Sequence, residues 1–285
     1  MTAAPRLLVA DLPRRGLMGI VNVTPDSFSD GGRYLDADAA VRHGLALAAA
    51  GAAVIDVGGE STRPGAEPVD EDEELRRVLP VVRALAAQGP APVSVDTTKA
   101  AVAEAALGAG AVMVNDVSGG AADRAMLAVV ARAGAAYVAM HMRGTPRMMQ
   151  QHTHYADVVR DVGDELRLCV DRAIDAGVDA RALLADPGIG FAKTAEQNVA
   201  LLRALPQVAV RVGVPLLVGT SRKSFLSRIA RVDDQAGRDD ATLATTVWCF
   251  EHGAALVRVH DVAGSQRAVE LLGTLERATP EGMAA

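Results

Sequence analysis

The sequence predicts a single (β/α)8 barrel, and three observations support this fold class. One unit recurs eight times along the chain: a short apolar run, a polar or glycine-rich tip, and an alanine-rich amphipathic stretch. The runs are almost wholly apolar, as expected for parallel strands covered on both faces. At 285 residues the chain has the length of one barrel domain, and no low-complexity linker divides it. We therefore expect one domain over residues 1–285, with its core at about 17–275.

The predicted strands cover residues 17–23, 53–57, 92–95, 112–114, 136–140, 183–185, 215–218 and 255–259. The helices that follow them are predicted at residues 37–50, 71–87, 100–107, 124–133, 155–176, 195–205, 239–252 and 263–275. Several helices stop at a glycine, the residue favoured just past a helix end. An open, doubly wound sheet is the competing architecture. It is disfavoured because the first strand is followed by NVTPDSFSDGG rather than by G-x-G-x-x-G.

Composition excludes several classes of function. The net charge is −6 and the sequence has no basic tract, which argues against nucleic acid as a partner. No apolar run approaches the roughly 18 residues of a membrane span, and the apolar patch near the N-terminus is too short for a signal peptide. Cys169 and Cys249 stand far apart in helical stretches and indicate buried free thiols. We expect a cytoplasmic protein.

Every predicted strand ends in polar residues, and in a barrel these ends form one rim that carries the active site. A buried, unpaired Asn or Asp costs roughly 1–3 kcal/mol, which a ligand rich in donors and acceptors would offset. In strand order the polar tips contain Asn22, Asp26, Ser27 and Asp30; Asp56, Glu60, Ser61, Thr62 and Arg63; Asp96 and Thr97; Asn115 and Asp116; His141; Asp186; Thr220–Ser224; and Arg258, His260 and Asp261.

The seventh tip, in VPLLVGTSRKSFL at residues 214–226, concentrates the most charge. Two cations and three hydroxyls gather where an apolar strand ends and a helical pattern starts. Helix N-termini carry unpaired N–H groups and partial positive charge, so this place suits an anion. Taken alone, an exposed polar loop explains the pattern equally well. A Walker phosphate loop is excluded because no glycine precedes Lys223 and the loop is too short.

The residue types of the other tips indicate a ligand. Asp96, Asn115 and Asp186 suit a flat heterocycle that bears an amino group, a ring N–H and a carbonyl. Asn22 and Asp30 could place a divalent ion against a phosphate, since Mg²⁺ keeps several waters and takes few protein ligands. The cationic tip residues suit a phosphorylated substrate; they are Arg63, Arg222, Lys223, Arg258 and His260.

Some tip residues have a structural explanation instead. A loop-stabilising role remains open for Asp26, Asp56 and Asp116, since short carboxylates often bond nearby backbone. His152 and His154 lack the carboxylate or cysteine spacing of a zinc site and are expected to be exposed. The methionines at positions 140, 142, 148 and 149 are expected to pack or lie in loops.

Together the tips resemble those of the dihydropteroate synthase family. They read MGIVNVTPDSFSDGG, VIDVGGESTRPGA, SVDTTK, VNDVSGG, MHMRGTPRMMQ, ADPGIGFAKT, VGTSRKSF and VRVHDV, in order, from about Met18 to Leu271. The resemblance implies a (β/α)8 fold, a homodimer and a requirement for Mg²⁺. It also implies the joining of p-aminobenzoate to 6-hydroxymethyl-7,8-dihydropterin diphosphate, giving 7,8-dihydropteroate and diphosphate.

The resemblance also implies roles for individual residues. The implied pterin set is Asp96, Asn115, Asp186, Lys223 and Arg258, with Arg258 stacked on the ring. The implied diphosphate and Mg²⁺ set is Asn22, Thr62, Arg63, Arg258 and His260, with Asp30 assisting. The implied p-aminobenzoate set is Phe28, Pro64 and Ser224, and Arg222 supports the anionic side.

The implied mechanism is dissociative: diphosphate leaves, a pterin-stabilised carbocation remains, and the amine attacks. The implied catalytic residues are Asp96, Lys223, Arg258 and His260, and stabilisation of the developing cation by Asp96 is our hypothesis. No nucleophilic side chain is needed, in agreement with the tips, which hold no Ser-His-Asp or Cys-His set.

One departure from the family pattern is Arg143, where the family often has Gln. Two alternatives remain: a pterin-binding methyltransferase domain, which should lack the SFSDGG, STRPG and SRKSF tips, and a non-catalytic pterin-binding paralogue.

Overall fold

The computed structural model describes residues 7–24, 33–63 and 65–277, and for residues 33–36 the backbone alone. Within these ranges eight parallel strands pair in chain order and close into a barrel, as predicted. The strands are β1 Gly16–Asn22, β2 Val54–Gly58, β3 Val93–Asp96, β4 Met113–Asp116, β5 Ala136–Met140, β6 Leu183–Asp186, β7 Leu216–Gly219 and β8 Ala254–Val259.

The helices cover the outside of the barrel. In the described ranges they are α1 Arg33–Ala49, α2 Glu71–Gln88, α3 Ala100–Gly108, α4 Met126–Ala133, α5 Val158–Asp175, α6 Ala195–Arg203, α7 Leu205–Val212, α8 Ser224–Ala230, α9 Gln235–Glu251 and α10 Val262–Arg277.

The region after β6 differs from the sequence prediction. One helix was expected at residues 195–205, but two short helices, α6 and α7, occupy residues 195–212. Ala204 leaves the helical conformation between them, and Pro206, in the first turn of α7, cannot donate to a preceding turn. Thr194 and Gln197 form a capping box that fixes the start of α6.

Alternation along the strands decides which side chains enter the barrel. On β2, Val54 belongs to the apolar cluster inside the barrel, and Ile55 to the larger cluster between strands and helices. Asp56, two residues after Val54, therefore points inward. It lies beside Ser94 on β3, and Asp96 lies beside Asn115 on β4.

The N-terminal end of the barrel is closed by apolar side chains. Leu7, Leu8, Val9 and Leu12 pack against the inner cluster that contains Met18 and Leu256. The polar ends of the strands therefore line the opposite, C-terminal mouth. No helix in the described part of the chain is long and apolar enough to cross a membrane.

Candidate active site

Arg258 lies at the centre of the polar layer inside the mouth. Its Nε donates to Asp56 Oδ2 at 2.6 Å, and its Nη2 donates to Asp96 Oδ2 at 2.8 Å. Asp56 Oδ2 also accepts from Asn115 Nδ2 at 2.9 Å. Side chains from β2, β3, β4 and β8 thus form one connected network, and Arg258 is held in a single orientation.

Burial makes Asp96 an unusual carboxyl group. Desolvation raises its pKa to about 7, against the opposing effect of the Arg258 charge, and the negative charge of Asp56 adds to the rise. A carboxyl group with this pKa exchanges its proton near neutral pH. Asp96 is therefore poised to respond to a change of charge in a ligand beside it.

Asp186 and Lys223 form the opposite side of the mouth. Asp186 Oδ1 accepts from the backbone N–H of Gly188 at 2.7 Å, and Lys223 Nζ donates to the carbonyl oxygen of Ile189. A Cβ added at Gly219 would lie 3.7 Å from Lys223 Nζ and 4.0 Å from Asp186 Oδ2, so a glycine there leaves this space open. Burial lowers the pKa of Lys223 to about 8, while Asp186 opposes the shift.

His260, just after β8, is held by Ser221. The Ser221 hydroxyl oxygen accepts from the backbone N–H of His260 at 3.1 Å and lies 2.8 Å from His260 Nδ1. Burial, followed by the charges of Arg222 and Arg258, lowers the pKa of His260 to about 3. A neutral ring whose Nδ1 accepts from the serine carries its proton on Nε2, which can donate to an anion.

Arg222 was expected to be a cation available to an anionic ligand, but in the structure it is paired with Asp239. Its Nε and Nη2 donate to the two carboxylate oxygens of Asp239 at 2.7 and 2.9 Å, and its backbone is left-handed, with φ 56°. The guanidinium is therefore paired with a carboxylate on α9, which weakens its attraction for an anionic ligand. Ser224 begins α8, as expected, and is exposed.

Of the remaining predicted residues, some are described by the structure and others lie outside the described ranges. Asn22 ends β1 with a half-buried side chain; Thr62 is also half-buried and Arg63 is exposed. Phe28, Asp30 and Pro64 lie outside the described residues, as does Asp26.

The structure decides whether Asp116 and Asp56 stabilise loops or belong to the site, because successive side chains on a strand point alternately out of and into the barrel. Asp116 points out of the barrel, where its carboxylate accepts from Ser118, from the backbone N–H of Gly120 and, at 2.9 Å, from the hydroxyl of Tyr137. It stabilises the loop after β4. Asp56 points inward and binds Arg258, so it belongs to the site although it was not among our predicted site residues. The sequence did not reveal this, because β2 is apolar on both faces and only the closed barrel shows that Val54, two residues before Asp56, faces inward.

A second network lies behind Asp186. It comprises Lys193 and His141, which are buried, and Glu165, which is half-buried; none of the three was a predicted site residue. Arg143, the departure from the family pattern, pairs with Glu165 and lies 3.9 Å from the ring centroid of Tyr155. His152 and His154 are exposed, as expected, and Met149 is buried.

The comparisons with known proteins agree with this geometry. The family model for pterin binding enzymes matches residues 18–260. The chain is 52% identical to dihydropteroate synthase of Mycobacterium leprae over 271 residues, which cover 93% of this chain and 95% of the relative. It is 46% identical to the Synechocystis dihydropteroate synthase over 264 residues, covering 93% and 91% of the two chains.

Solved structures give the same result. Xanthomonas albilineans dihydropteroate synthase with 4-aminobenzoic acid is 44% identical, with a TM-score of 0.88, and the match covers 97% of this chain and 100% of that one. The same enzyme with 7,8-dihydropteroate is 41% identical, with a TM-score of 0.84 and coverage of 96% and 97%. The barrel, its polar mouth and these matches lead to one conclusion: the chain belongs to the dihydropteroate synthase family of pterin-binding enzymes.

Proposed function

We propose that this chain condenses 6-hydroxymethyl-7,8-dihydropterin diphosphate with p-aminobenzoate to give 7,8-dihydropteroate and diphosphate. The observation that carries the proposal is the inner polar layer, in which Arg258 is clamped between Asp56 and Asp96 and faces Asp186 and Lys223. Solved relatives bound to 4-aminobenzoic acid and to 7,8-dihydropteroate support the same reaction.

The pterin lies against the inner layer. Asp96, Asn115 and Asp186 supply short oxygens and an amide for the edge of the heterocycle, and Lys223 supplies a donor. The planar guanidinium of Arg258 stacks on the ring face, an arrangement that its two carboxylate partners preorganise. A ligand-bound structure, or binding measurements on variants of these residues, would test the assignments.

The diphosphate lies nearer the rim, where Thr62, Arg63 and His260 face it. Mg²⁺ fits this side: a half-buried amide oxygen from Asn22 is a suitable single ligand for an ion that takes its other oxygens from water and phosphate. The described residues contain no group of three His, Cys, Asp or Glu side chains that could hold a metal ion. Asp30 would assist Asn22. When bound, Mg²⁺ would offset the negative charge of the leaving diphosphate.

We assign the p-aminobenzoate pocket to the start of α8 and, from the family resemblance, to Phe28 and Pro64, which lie outside the described residues. Phe28 and Pro64 form its apolar part in our proposal, and the exposed N-terminus of α8 at Ser224 receives the carboxylate. Arg222 acts mainly by holding this loop through Asp239, because its carboxylate partner reduces its attraction for an anion.

The mechanism is dissociative, and the side chains supply positioning and electrostatic stabilisation. His260 donates from Nε2 to the departing diphosphate, and Lys223 and Arg258 hold the pterin in place. Asp96 stabilises the positive charge that develops on the pterin as the leaving group departs. The amine of p-aminobenzoate then attacks the exocyclic carbon and loses its proton.

Diphosphate release by the purified protein tests the function. We expect release from 6-hydroxymethyl-7,8-dihydropterin diphosphate and Mg²⁺ to accelerate when p-aminobenzoate is added, and sulfonamides to compete with p-aminobenzoate. Tight pterin binding without turnover would instead indicate a binding module. Full turnover by Asp96→Asn at saturating substrates would contradict the role given to that carboxylate.

We further propose that the protein acts as a cytoplasmic homodimer. Ile229 on α8, Trp248 on α9 and Leu271 on α10 are exposed apolar side chains on helices that contact one another in sequence order. Exposed apolar groups on adjacent elements suit a second copy of the chain. Light scattering after gel filtration should give twice the mass of the chain, and Ile229→Glu with Trp248→Glu should give a monomer.

A further inference from the structure

Lys193, in the segment after β6, is buried, and burial lowers the pKa of its ammonium group to about 7, while the charge of Asp186 opposes the shift. Only 3% of the residue is exposed. Burying a charge is costly unless hydrogen bonds satisfy it. Its Nζ lies 3.0 Å from the carbonyl oxygen of Gly188, 2.9 Å from that of Phe191 and 3.0 Å from Nδ1 of His141. An ammonium group has three donors, so each of them has one acceptor here.

This arrangement determines the protonation of His141. Because the ionised Glu165 carboxylate can only accept, the proton of the neutral ring is on Nε2, which donates to Oε2 at 2.9 Å and leaves Nδ1 to accept from Lys193. Burial, followed by the charge of Lys193, lowers the pKa of His141 to about 4, so the ring is neutral. The hydrogen bond from His141, followed by that from Arg143, lowers the pKa of Glu165 to about 2.

The two carbonyls that Lys193 binds belong to the turn at residues 188–192. Gly188 has φ 66°, and a Cβ there would lie 1.9 Å from the carbonyl oxygen of His141. Ala192 is left-handed although it is not glycine, with φ 50°. Gly190 is also left-handed, with φ 84°. A turn with three left-handed residues, one of them not glycine, needs external support to stay in one conformation.

The same turn holds two residues of the pterin set. The N–H of Gly188 donates to Asp186, and the carbonyl of Ile189 accepts from Lys223. Lys223 Nζ also lies 4.6 Å from the ring centroid of Phe191. The backbone that Lys193 fixes is therefore the surface against which Asp186 and Lys223 are oriented.

We propose that Lys193 is a positioning residue for pterin binding: its ammonium group holds the turn at residues 188–192 and so orients Asp186 and Lys223. His141, oriented by Glu165, is the acceptor that completes this support. The inference rests on the proposed function, because it concerns the site for that substrate. Lys193 itself does not touch the pterin.

Isothermal titration calorimetry with two probes tests the proposal. For Lys193→Met we expect the Kd of 6-hydroxymethyl-7,8-dihydropterin diphosphate to rise about tenfold, through loss of the hydrogen bonds that hold the turn. The Kd of inorganic diphosphate should stay within about twofold, since Arg63 and His260 lie away from the turn. Lys99→Met is the matched control: it removes an ammonium group that pairs with Glu60 and Glu74, and it should leave the pterin Kd unchanged.

Two substitutions of His141 sharpen the test and serve if Lys193→Met does not fold. His141→Asn places an oxygen where Nδ1 stood, whereas His141→Gln reaches only the position of Nε2. We expect the asparagine variant to bind the pterin within about threefold of the natural protein and the glutamine variant about tenfold more weakly. Equal pterin affinities in the two variants, or an unchanged Kd in Lys193→Met, would overturn the proposal, as would equal weakening of both probes.

The tautomer of His141 gives a readout that does not need the substrate. The ¹⁵N shifts of its ring should show a proton on Nε2 and a hydrogen-bonded acceptor at Nδ1, with the assignment made from the His141→Gln spectrum. A proton on Nδ1 would overturn the proposal. If the natural protein failed to bind the pterin while this tautomer was observed, the proposed function would fail and the described network would stand.

Discussion

Asp56 is the residue whose removal tests the inner layer most directly. Its side chain is fully buried, and Oδ2 accepts from both Arg258 and Asn115. Asp56→Ala removes both acceptors and leaves the guanidinium with Asp96 as its remaining carboxylate in the network. We expect this change to destabilise the protein and to alter the titration of Asp96.

The magnitude follows from the contacts. Removing one partner of a buried ion pair costs about 3–5 kcal/mol, and the retained bond to Asp96 places the cost near the lower end. The lost acceptor for Asn115 adds about 1 kcal/mol. We expect the free energy of unfolding to fall by about 3–4 kcal/mol for Asp56→Ala. For Asp56→Asn, which keeps an oxygen but loses the charge, we expect about 1–2 kcal/mol.

Urea denaturation followed by fluorescence of Trp248, the single tryptophan, measures these changes. Asp171→Ala is the control, because Asp171 pairs with Arg167 on the exposed face of α5 and should cost less than about 0.5 kcal/mol. If Asp56→Ala unfolded at the same urea concentration as the natural protein, the hydrogen bonds from Asp56 to Arg258 would contribute nothing to the free energy of unfolding, which would refute the reasoning. Loss of the Asp56 charge should also lower the pKa of Asp96, since that charge raises it.

Two further predictions concern other ionised groups. Between pH 6 and 9 we expect a narrow, bell-shaped profile of kcat/KM. Asp96 must lose its proton, with a pKa of about 7, whereas Lys223 and Lys193 must keep theirs, with pKa values of about 8 and about 7. Asp96→Asn should remove the acidic limb, and an unchanged limb would show that another group titrates there. Lys99→Met should lower the free energy of unfolding by about 2–3 kcal/mol, because Glu74, which is fully buried, loses its cation. Adding Glu74→Gln should restore part of that loss in urea denaturation, and no recovery would contradict the pairing.

Much of the fold was predictable because its signals are local. Each strand is a short apolar run bounded by a polar tip, and the structure places all eight within a few residues of the predicted ranges. The prediction ended the helix after β6 at residue 205, close to the end of α6, and missed α7, whose first turn contains Pro206. The types of residue at the tips likewise indicated a polar heterocycle and an anion.

The sequence by itself determined the barrel, the order of its tips and the chemical character of its mouth, because periodicity and turn residues act over a few positions. Tertiary structure alone decided how the tips combine. It turned Asp56 inward and Asp116 outward, paired Arg222 with Asp239, and joined Arg258 to a carboxylate 202 residues away. Such pairings depend on closure of the barrel, which brings distant segments together, and on the alternation of side chains along each strand. A buried charge is then stabilised by the oppositely charged groups that the closed barrel places next to it.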